Sequence, residues 1–332
     1  MQGPKQHSKE WYELSNKCES IGCSQIGNLY VETEYLGFKK LADKFALIRR
    51  KLKPAFEGGA ACGWGTVFET VVVWYITHRL GCTVYCRDVC ITNIPEVPRL
   101  RCSPDGIMKV YRTKDDTLWT VAMDRSEKVK AECVLIEIKC PYSRWLGKTI
   151  PPHYIPQVQG GLIATKKITQ RGLFIDACIK ICTKDELGEK PGYNTTFHKD
   201  SKRMRLQDPV AWGEIQVLEA RCSNREDDIE IDYGAENNEV ITKMFDAISK
   251  RELFTSLGSI MFANNGGKMD FSQRDRERIG VICFKLMDIR YHTVEPSPGF
   301  CTELNDKIRK FFEKVDLLSY TGTENTPDKT EG

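Results

Sequence analysis

The sequence predicts an α/β protein with a mixed central β-sheet that is flanked by helices. Two observations lead to this fold class: apolar residues recur at helical spacing in several segments, and β-branched apolar runs stand between those segments. Because helices and strands alternate along most of the chain, the helices are expected to pack on the faces of one sheet.

The N-terminal part is predicted to be mainly helical. Residues 7–20 begin a helix, and residues 20–30 form a turn that leads into the next one. Residues 36–52 form an amphipathic helix with a basic face, residues 57–65 form a loop, and residues 66–81 form a helix that a glycine closes.

Strands dominate the next segment. Residues 80–97 predict one or two strands, and a Ser-Pro turn then leads into another. Residues 112–117 are expected to be its hairpin turn and residues 118–123 its return strand. The strand that follows, residues 134–139, is ended by Pro141.

The rest of the chain continues the alternation of helices and strands. A proline-rich approach leads into a helix that begins near Ile155. Strands are predicted at residues 171–182, 211–222 and 278–294, and residues 301–318 carry apolar residues at helical spacing.

No composition change or linker clearly divides the chain. We therefore expect one domain over residues 1–320, with a core at about residues 8–182 and a C-terminal extension at residues 183–320. Residues 321–332 are polar and are expected to be disordered.

Composition limits the class of protein. Hydrophobic residues make up 41% and charged residues 29% of the 332 residues, which is typical of a globular protein. The net charge of +3 argues only weakly for a nucleic-acid partner, so any basic surface must be local. No run of about 18 apolar residues occurs, so no membrane span is expected, and the N-terminus lacks the apolar stretch of a secretion signal.

Cysteine is abundant, with 14 residues, but no CxxC pair is present. Neither a disulfide framework nor a zinc ribbon is therefore indicated. Cys82, Cys86 and Cys90 are four residues apart and would share one face of a helix or of a strand. A structural metal there is one interpretation, and reduced, partly buried thiols are the other.

The segment VLIEIKCP places Glu137 and Lys139 inside an apolar strand. Side chains alternate between the two faces of a strand, so these two charges share one face, and Val134, Ile136 and Ile138 share the other. One interpretation is a half-exposed strand with a cross-strand salt bridge. The other is a functional site.

Two further acidic residues favour the second interpretation. Asp105 follows a Ser-Pro turn at the start of a strand, and Glu69 stands among apolar residues of a predicted helix. Carboxylates that meet at adjacent strand ends can hold a hard divalent cation such as Mg2+, and a neighbouring Lys139 can orient or deprotonate a water. This is the arrangement that metal-dependent phosphodiester hydrolysis requires. For Glu69 alone, a solvent-facing helix glutamate is the simpler interpretation.

Five sequence blocks, in order, carry a family resemblance: EWYELSNKCESIGCSQIG, GWGTVFE, SPDGI, IEIKCP and YIPQVQGGL. They resemble the PD-(D/E)XK nuclease superfamily, and within it the phage lambda exonuclease or YqaJ-like viral recombinase type. Within this type, the chain resembles the lambda-type exonucleases of large cytoplasmic DNA viruses. The resemblance covers about residues 8–182 and implies a restriction-endonuclease-like core.

The resemblance also implies roles for residues at the site. Asp105, Glu137 and the backbone carbonyl of Ile138 would bind the metal, and Glu69 would complete the second metal site or its water shell. Lys139 would orient or activate the attacking water.

A glutamine is implied beside the lysine and the scissile phosphate. Gln157 matches the first glutamine of the family's Q-x-Q helix. Gln159 is the neighbouring alternative, with a surface amide as the other interpretation of that residue.

The N-terminal block implies a pocket for a DNA 5′-phosphate, which the family builds from an arginine and a serine. Ser24 matches the serine. Counting from Trp11 puts Ser15 at the arginine position, whereas counting back from Ser24 puts Lys17 there. Lysine lacks the bidentate fork of arginine, and a solvated surface charge is the other interpretation of Lys17.

The function that the resemblance implies is a Mg2+-dependent DNA exonuclease, with Mn2+ as a possible substitute, that degrades double-stranded DNA from 5′ to 3′ in viral recombination, replication or repair. A single-strand annealing protein and further copies of the chain are the implied partners. The implied location is intracellular, in the host cytoplasm if the source is a cytoplasmic DNA virus. The alternatives are a structure-specific endonuclease or resolvase of the same fold, and a non-catalytic DNA-binding module.

Overall fold

The structure is a computed structural model. It describes most of the N-terminal half and the strands and helices of the C-terminal half. The described residues are 2–6, 8–32, 37–54, 57–81, 83–112, 130–144, 146–183, 187, 211–219, 231–232, 238–250, 253–262, 268–270 and 278–321.

Helices and strands alternate through these residues. The helices are α1 (Lys9–Lys17), α2 (Cys23–Ile26), α3 (Phe38–Arg49), α4 (Ala60–Leu80), α5 (Tyr154–Thr165), α6 (Asn238–Ser249) and α7 (Phe300–Thr321). The strands are β1 (Gln2–Lys5), β2 (Ile21–Gly22), β3 (Val84–Tyr85), β4 (Val89–Ile91), β5 (Leu100–Arg101), β6 (Gly106–Arg112), β7 (Lys130–Lys139), β8 (Arg171–Ile181), β9 (Ala211–Glu219), β10 (Ile231–Asp232), β11 (Leu253–Phe262), β12 (Lys268–Asp270) and β13 (Arg278–Val294).

One large sheet organises the described part of the chain. Its strands run in the order β12-β11-β9-β13-β8-β7-β6-β3, and β10 pairs with β13 outside this path. The pairs β7–β8 and β10–β13 are parallel and the others are antiparallel. The sheet is therefore mixed and flanked by helices, which confirms the predicted fold class. Strands from the predicted C-terminal extension lie in the same sheet as β6, β7 and β8.

Helix α4 and helix α6 cover one face of the sheet. Val134, Ile136 and Ile138 of β7 point to this face and join a core with Phe68 of α4 and Phe245 of α6. Helix α4 is apolar on nearly every side, because it is enclosed between the sheet and α6.

Helix α5 covers the other face of β7 and β8. Leu135 and Phe174 pack there against Val158 and Leu162 of α5. Outside α5, helices α2, α3 and α7 form a second core that is rich in aromatic residues, including Phe311. The alternation predicted for β7 therefore holds, because its even-numbered apolar residues and its charged residues face different helices.

The structure corrects several predicted boundaries. Helix α4 begins at Ala60, so Trp64 and Gly65 lie inside it and not in a loop. The first helix spans Lys9–Lys17, where the Ser8 hydroxyl accepts the Trp11 amide, and β1 precedes it.

The predicted thiol cluster also needs correction. Cys86 has a left-handed backbone between β3 and β4, and Cys90 is buried in β4. The two do not share one strand. Cys82 lies outside the described residues, as do the predicted hairpin turn and return strand at residues 113–123 and the tail from residue 322.

Among the described residues, no helix is both long enough and apolar enough to cross a bilayer. The longest apolar helix, α4, owes its composition to burial within the protein.

Candidate active site

The site forms where β6 begins and β7 ends. These strands are antiparallel with Gly106 opposite Ile136, so the preceding residue, Asp105, stands opposite Glu137. The Ile138 amide donates to Asp105 Oδ2 at 2.6 Å. Because this bond fixes the Asp105 carboxylate at the strand end, the two acidic residues predicted from the sequence meet side by side.

Glu137 is enclosed by polar partners and is only 5% exposed. Lys139 Nζ and Gln157 Nε2 both donate to its Oε1 atom. Lys139 also lies over the ring of Tyr154, with Nζ 5.4 Å from the ring centroid. The cross-strand salt bridge on a half-exposed strand is therefore wrong, since the ion pair lies within β7 and Glu137 is buried.

Glu69 reaches the same region from α4. Its carboxylate lies 3.5 Å from a guanidinium nitrogen of Arg87, and 31% of its side chain remains exposed. The pKa of Glu69 responds to the charges of Asp105, Lys139 and Glu137. Glu69 is thus part of the acidic group and not a glutamate on an outer helix face.

The acidic residues have raised pKa values. Burial and the neighbouring Asp105 charge raise the pKa of Glu137 to about 7. Burial, followed by the Asp105 charge, raises the pKa of Glu69 to about 8. Burial also raises the pKa of Asp105, against the lowering effects of Lys139 and the Ile138 amide.

The pKa of Lys139 is shifted in the opposite direction from the pKa of a buried lysine without partners. Burial alone would lower its pKa, but the charges of Glu137 and Asp105 outweigh burial and raise it. Lys139 is therefore a protonated ammonium in this arrangement.

The donor set suits a hard divalent cation. Asp105 and Glu137 offer carboxylate oxygens, and carboxylate and carbonyl oxygens are the ligands that Mg2+ and Mn2+ accept. Within the described residues, no three His, Cys, Asp or Glu side chains form a ready ligand group. Glu69 therefore does not join Asp105 and Glu137 as a third direct ligand in this conformation.

The two glutamines of α5 have different surroundings. Gln157 faces the site and donates to Glu137. Gln159 Nε2 donates to the carbonyl of Glu295 at 2.7 Å, and its Oε1 accepts the Ser297 amide at 2.9 Å. Gln159 is 6% exposed, so the interpretation as a surface amide is wrong, and its bonds tie α5 to the chain that leads into α7.

Ser24 and a buried arginine, Arg101, both lie near Gly22, and no motif in the sequence predicted Arg101 as part of the site. A Cβ built on Gly22 would be 3.8 Å from Ser24 Oγ and 3.7 Å from Arg101 Nε. Arg101 is 8% exposed and donates at 3.3–3.5 Å to Leu14 and Ser20. No described carboxylate pairs with it, and burial lowers its pKa.

Lys17 has a different environment. It lines a groove of about 690 Å3 that also contains Arg49, Lys51 and Lys53 from the end of α3 and the turn after it. Ser24 does not line this groove. The structure therefore places Ser24 with Arg101 and Lys17 with a group of surface cations.

Known proteins are similar to the part of the chain that contains the candidate site. Residues 10–167 match the model of the YqaJ-like viral recombinase domain. Protein D345L of African swine fever virus is 27% identical over 322 residues, which cover 95% of this chain and 87% of the viral protein. The same protein from a second isolate is 26% identical over 259 residues, covering 76% of this chain and 70% of the viral protein.

A solved structure gives a more distant likeness. The alkaline exonuclease LHK-Exo from Laribacter hongkongensis aligns with 96% of this chain and 97% of its own, at 13% identity and a TM-score of 0.43. Its complex with dAMP aligns with the same values.

The matched segment contains every candidate residue of the site, from Lys17 to Gln159. Through residues 10–167, this chain is similar to the YqaJ-like viral recombinase domain.

Proposed function

We propose that this protein is a metal-dependent deoxyribonuclease that acts as an exonuclease on double-stranded DNA, from 5′ to 3′. The observation that carries the proposal is the meeting of Asp105 and Glu137 on adjacent strand ends, with Lys139 and Gln157 bonded to the same glutamate. Such a set suits metal-dependent phosphodiester hydrolysis, and the similarity to the YqaJ-like viral recombinase domain supports this function.

The raised pKa values support a cation at this place. Three carboxylates share a confined region in which Lys139 and Arg87 are the cations that act on them. A divalent ion would favour their charged forms and remove the repulsion between them. Asp105, Glu137 and the Ile138 carbonyl would hold Mg2+ or Mn2+, and Glu69 would bind its water shell.

The bound ion would supply Lewis-acid polarisation of the scissile phosphate and a lower pKa for a water. Lys139, as an ammonium, would orient that water or a phosphate oxygen. It could act as a base only after the negative charge of Glu137 has been compensated. Gln157 would hold the Glu137 carboxylate in place and donate its second N–H toward the phosphate.

We further propose that Ser24 and Arg101 bind the DNA 5′-phosphate. A buried guanidinium without a carboxylate partner suits a phosphate monoester, because its fork can bind two oxygens. Lys17 and the groove beside it would instead contact the DNA backbone without reading sequence. This proposal pairs Ser24 with Arg101, whereas the prediction from the sequence pairs Ser24 with Lys17.

The experiment compares wild type, Lys139→Ala and a control, Lys9→Ala, whose side chain is 86% exposed. Each is incubated with linear duplex DNA carrying 5′-phosphate or 5′-hydroxyl ends, in Mg2+ and in a chelator. We expect nucleotide release by wild type and Lys9→Ala in Mg2+ alone, and none by Lys139→Ala. Equal cutting in the chelator would refute metal dependence.

Two substrates decide between the alternatives. A covalently closed circle has no end, so its cleavage would identify an endonuclease or resolvase. DNA that is bound but never cut, in Mg2+ or Mn2+, would identify a non-catalytic DNA-binding module. Arg101→Gln is expected to remove the preference for 5′-phosphate over 5′-hydroxyl ends while internal labels show unchanged duplex binding.

The biological setting follows from the viral relatives. We propose that the protein processes DNA ends during viral recombination or replication in the host cytoplasm, and that a single-strand annealing protein takes up its product. We also propose that copies of the chain associate with one another. Analytical ultracentrifugation at several protein concentrations tests this by measuring the molar mass in solution.

A further inference from the structure

A second buried carboxylate lies beside the proposed catalytic lysine. Asp176 of β8 is 1% exposed, and the parallel pairing of β7 with β8 puts it directly beside Lys139. Neighbouring residues in register on adjacent strands point to the same face of a sheet. Lys139 therefore stands between two carboxylates, Glu137 and Asp176.

Arg144 occupies both oxygens of Asp176. Its two terminal nitrogens donate to Oδ1 and Oδ2, each at 2.8 Å. Arg144 comes from the segment just after Pro141, and 30% of its side chain is exposed. Its guanidinium carbon lies 5.9 Å from the centroid of Tyr154, the same ring that Lys139 approaches.

This arrangement has a consequence for the lysine. Lys139 pairs with Glu137 in the structure and not with Asp176. An unpaired buried carboxylate would attract the nearest ammonium, whereas a bidentate arginine satisfies both of its oxygens. With Asp176 occupied by Arg144, Lys139 pairs with Glu137 alone.

Resting on the proposed nuclease function, we propose that Arg144 is a positioning residue. By occupying Asp176, it keeps the Lys139 ammonium on Glu137, beside the attacking water and the scissile phosphate. Arg144 acts through Asp176 and Lys139 and does not contact the substrate. Direct contact of Arg144 with DNA is the competing explanation for any loss of activity.

The first test uses charge-neutral rescue. Arg144→Gln should lower kcat by about 10–100-fold, as loss of an outer partner does at metal sites, with KM for DNA nearly unchanged. Arg144→Lys should be intermediate, because the fork is lost and the charge is kept. The double variant Arg144→Gln/Asp176→Asn should regain most of the lost kcat, since Asp176 no longer attracts Lys139.

The second test is independent of activity. A crystal structure of Arg144→Gln should show Lys139 Nζ on Asp176, and the double variant should return it to Glu137. If Lys139 stays on Glu137 in Arg144→Gln, the proposal is wrong, even if wild type proves to be no nuclease. Lost DNA affinity in Arg144→Gln that Asp176→Asn does not restore would show direct DNA contact and would also overturn it.

Discussion

Two glycines of helix α4 give a matched pair of substitutions with opposite expected effects. A Cβ added at Gly63 would lie 1.8 Å from the carbonyl oxygen and 2.6 Å from the carbonyl carbon of Phe245 in α6. A Cβ added at Gly65 would meet no atom within 4 Å. Neither glycine has a positive φ, so alanine suits the backbone at both positions.

The expected magnitudes follow from these distances. Replacing glycine by alanine inside a helix stabilises by roughly 0.5–1 kcal/mol, and Gly65→Ala should gain this amount. At Gly63 the clash is with backbone, which cannot rotate away, so α4 and α6 must separate. Overpacking costs typically about 1–3 kcal/mol. At the upper end of that range, the cost of overpacking exceeds the gain from replacing glycine by alanine in a helix. The expected net loss of stability for Gly63→Ala is about 2 kcal/mol.

Denaturant unfolding followed by circular dichroism measures both variants against wild type. The midpoint should fall for Gly63→Ala and rise slightly for Gly65→Ala, with nuclease activity falling in the first because Glu69 lies on the same helix. Equal midpoints for the two variants would contradict the close packing of α4 on α6.

Three further outcomes are expected. In a chelator, folding raises the pKa of Glu137 to about 7 and of Glu69 to about 8 from 4.5, so the free energy of unfolding falls progressively as the pH rises from about 4.5 to about 8. Glu137→Gln should reduce this loss of stability, and Mg2+ should reverse it in wild type, which melting temperatures measured across the pH range will show. An unchanged pH profile of the melting temperature in the variant would contradict the raised pKa of Glu137. Gln159→Ala should cost about 1–3 kcal/mol on unfolding, because it removes the two hydrogen bonds of a buried amide, yet keep its activity per folded molecule. Gln157→Ala should lose activity at nearly normal stability, and the reverse pattern would exchange their roles. Lys51→Gln should weaken duplex binding for all sequences and lower the salt slope by about one, and an unchanged slope in a titration of salt would remove this groove from the DNA path.

The centre of the site was predictable because strand geometry is local. The period of two puts Glu137 and Lys139 on one face whatever surrounds them. The turn before Asp105 and the proline after β7 indicated where each strand begins or ends. Family resemblance added Gln157 and the order of the blocks, and antiparallel pairing in the structure then brought Asp105 opposite Glu137.

Other residues depend on contacts between segments far apart in the chain. Arg101 looks like any basic residue in a strand, and only its burial without a carboxylate partner among the described residues makes it a candidate for binding phosphate. Nothing in the sequence near Gln159 indicates that its side chain bonds to the backbone at Glu295 and Ser297. Lys17 and Ser24 are close in sequence, but they line different surfaces.

Sequence alone determined the fold class, the charged face of β7 and the residue types of the proposed metal site, because these depend on periodicity and on turn chemistry within short segments. Tertiary structure decided the partner of each charge. The parallel neighbour strand brings Asp176 beside Lys139, and the fold brings Arg144 to Asp176, while Lys139 pairs with Glu137. Burial and the distance between charges set the pKa values of the site, and both are properties of the folded chain.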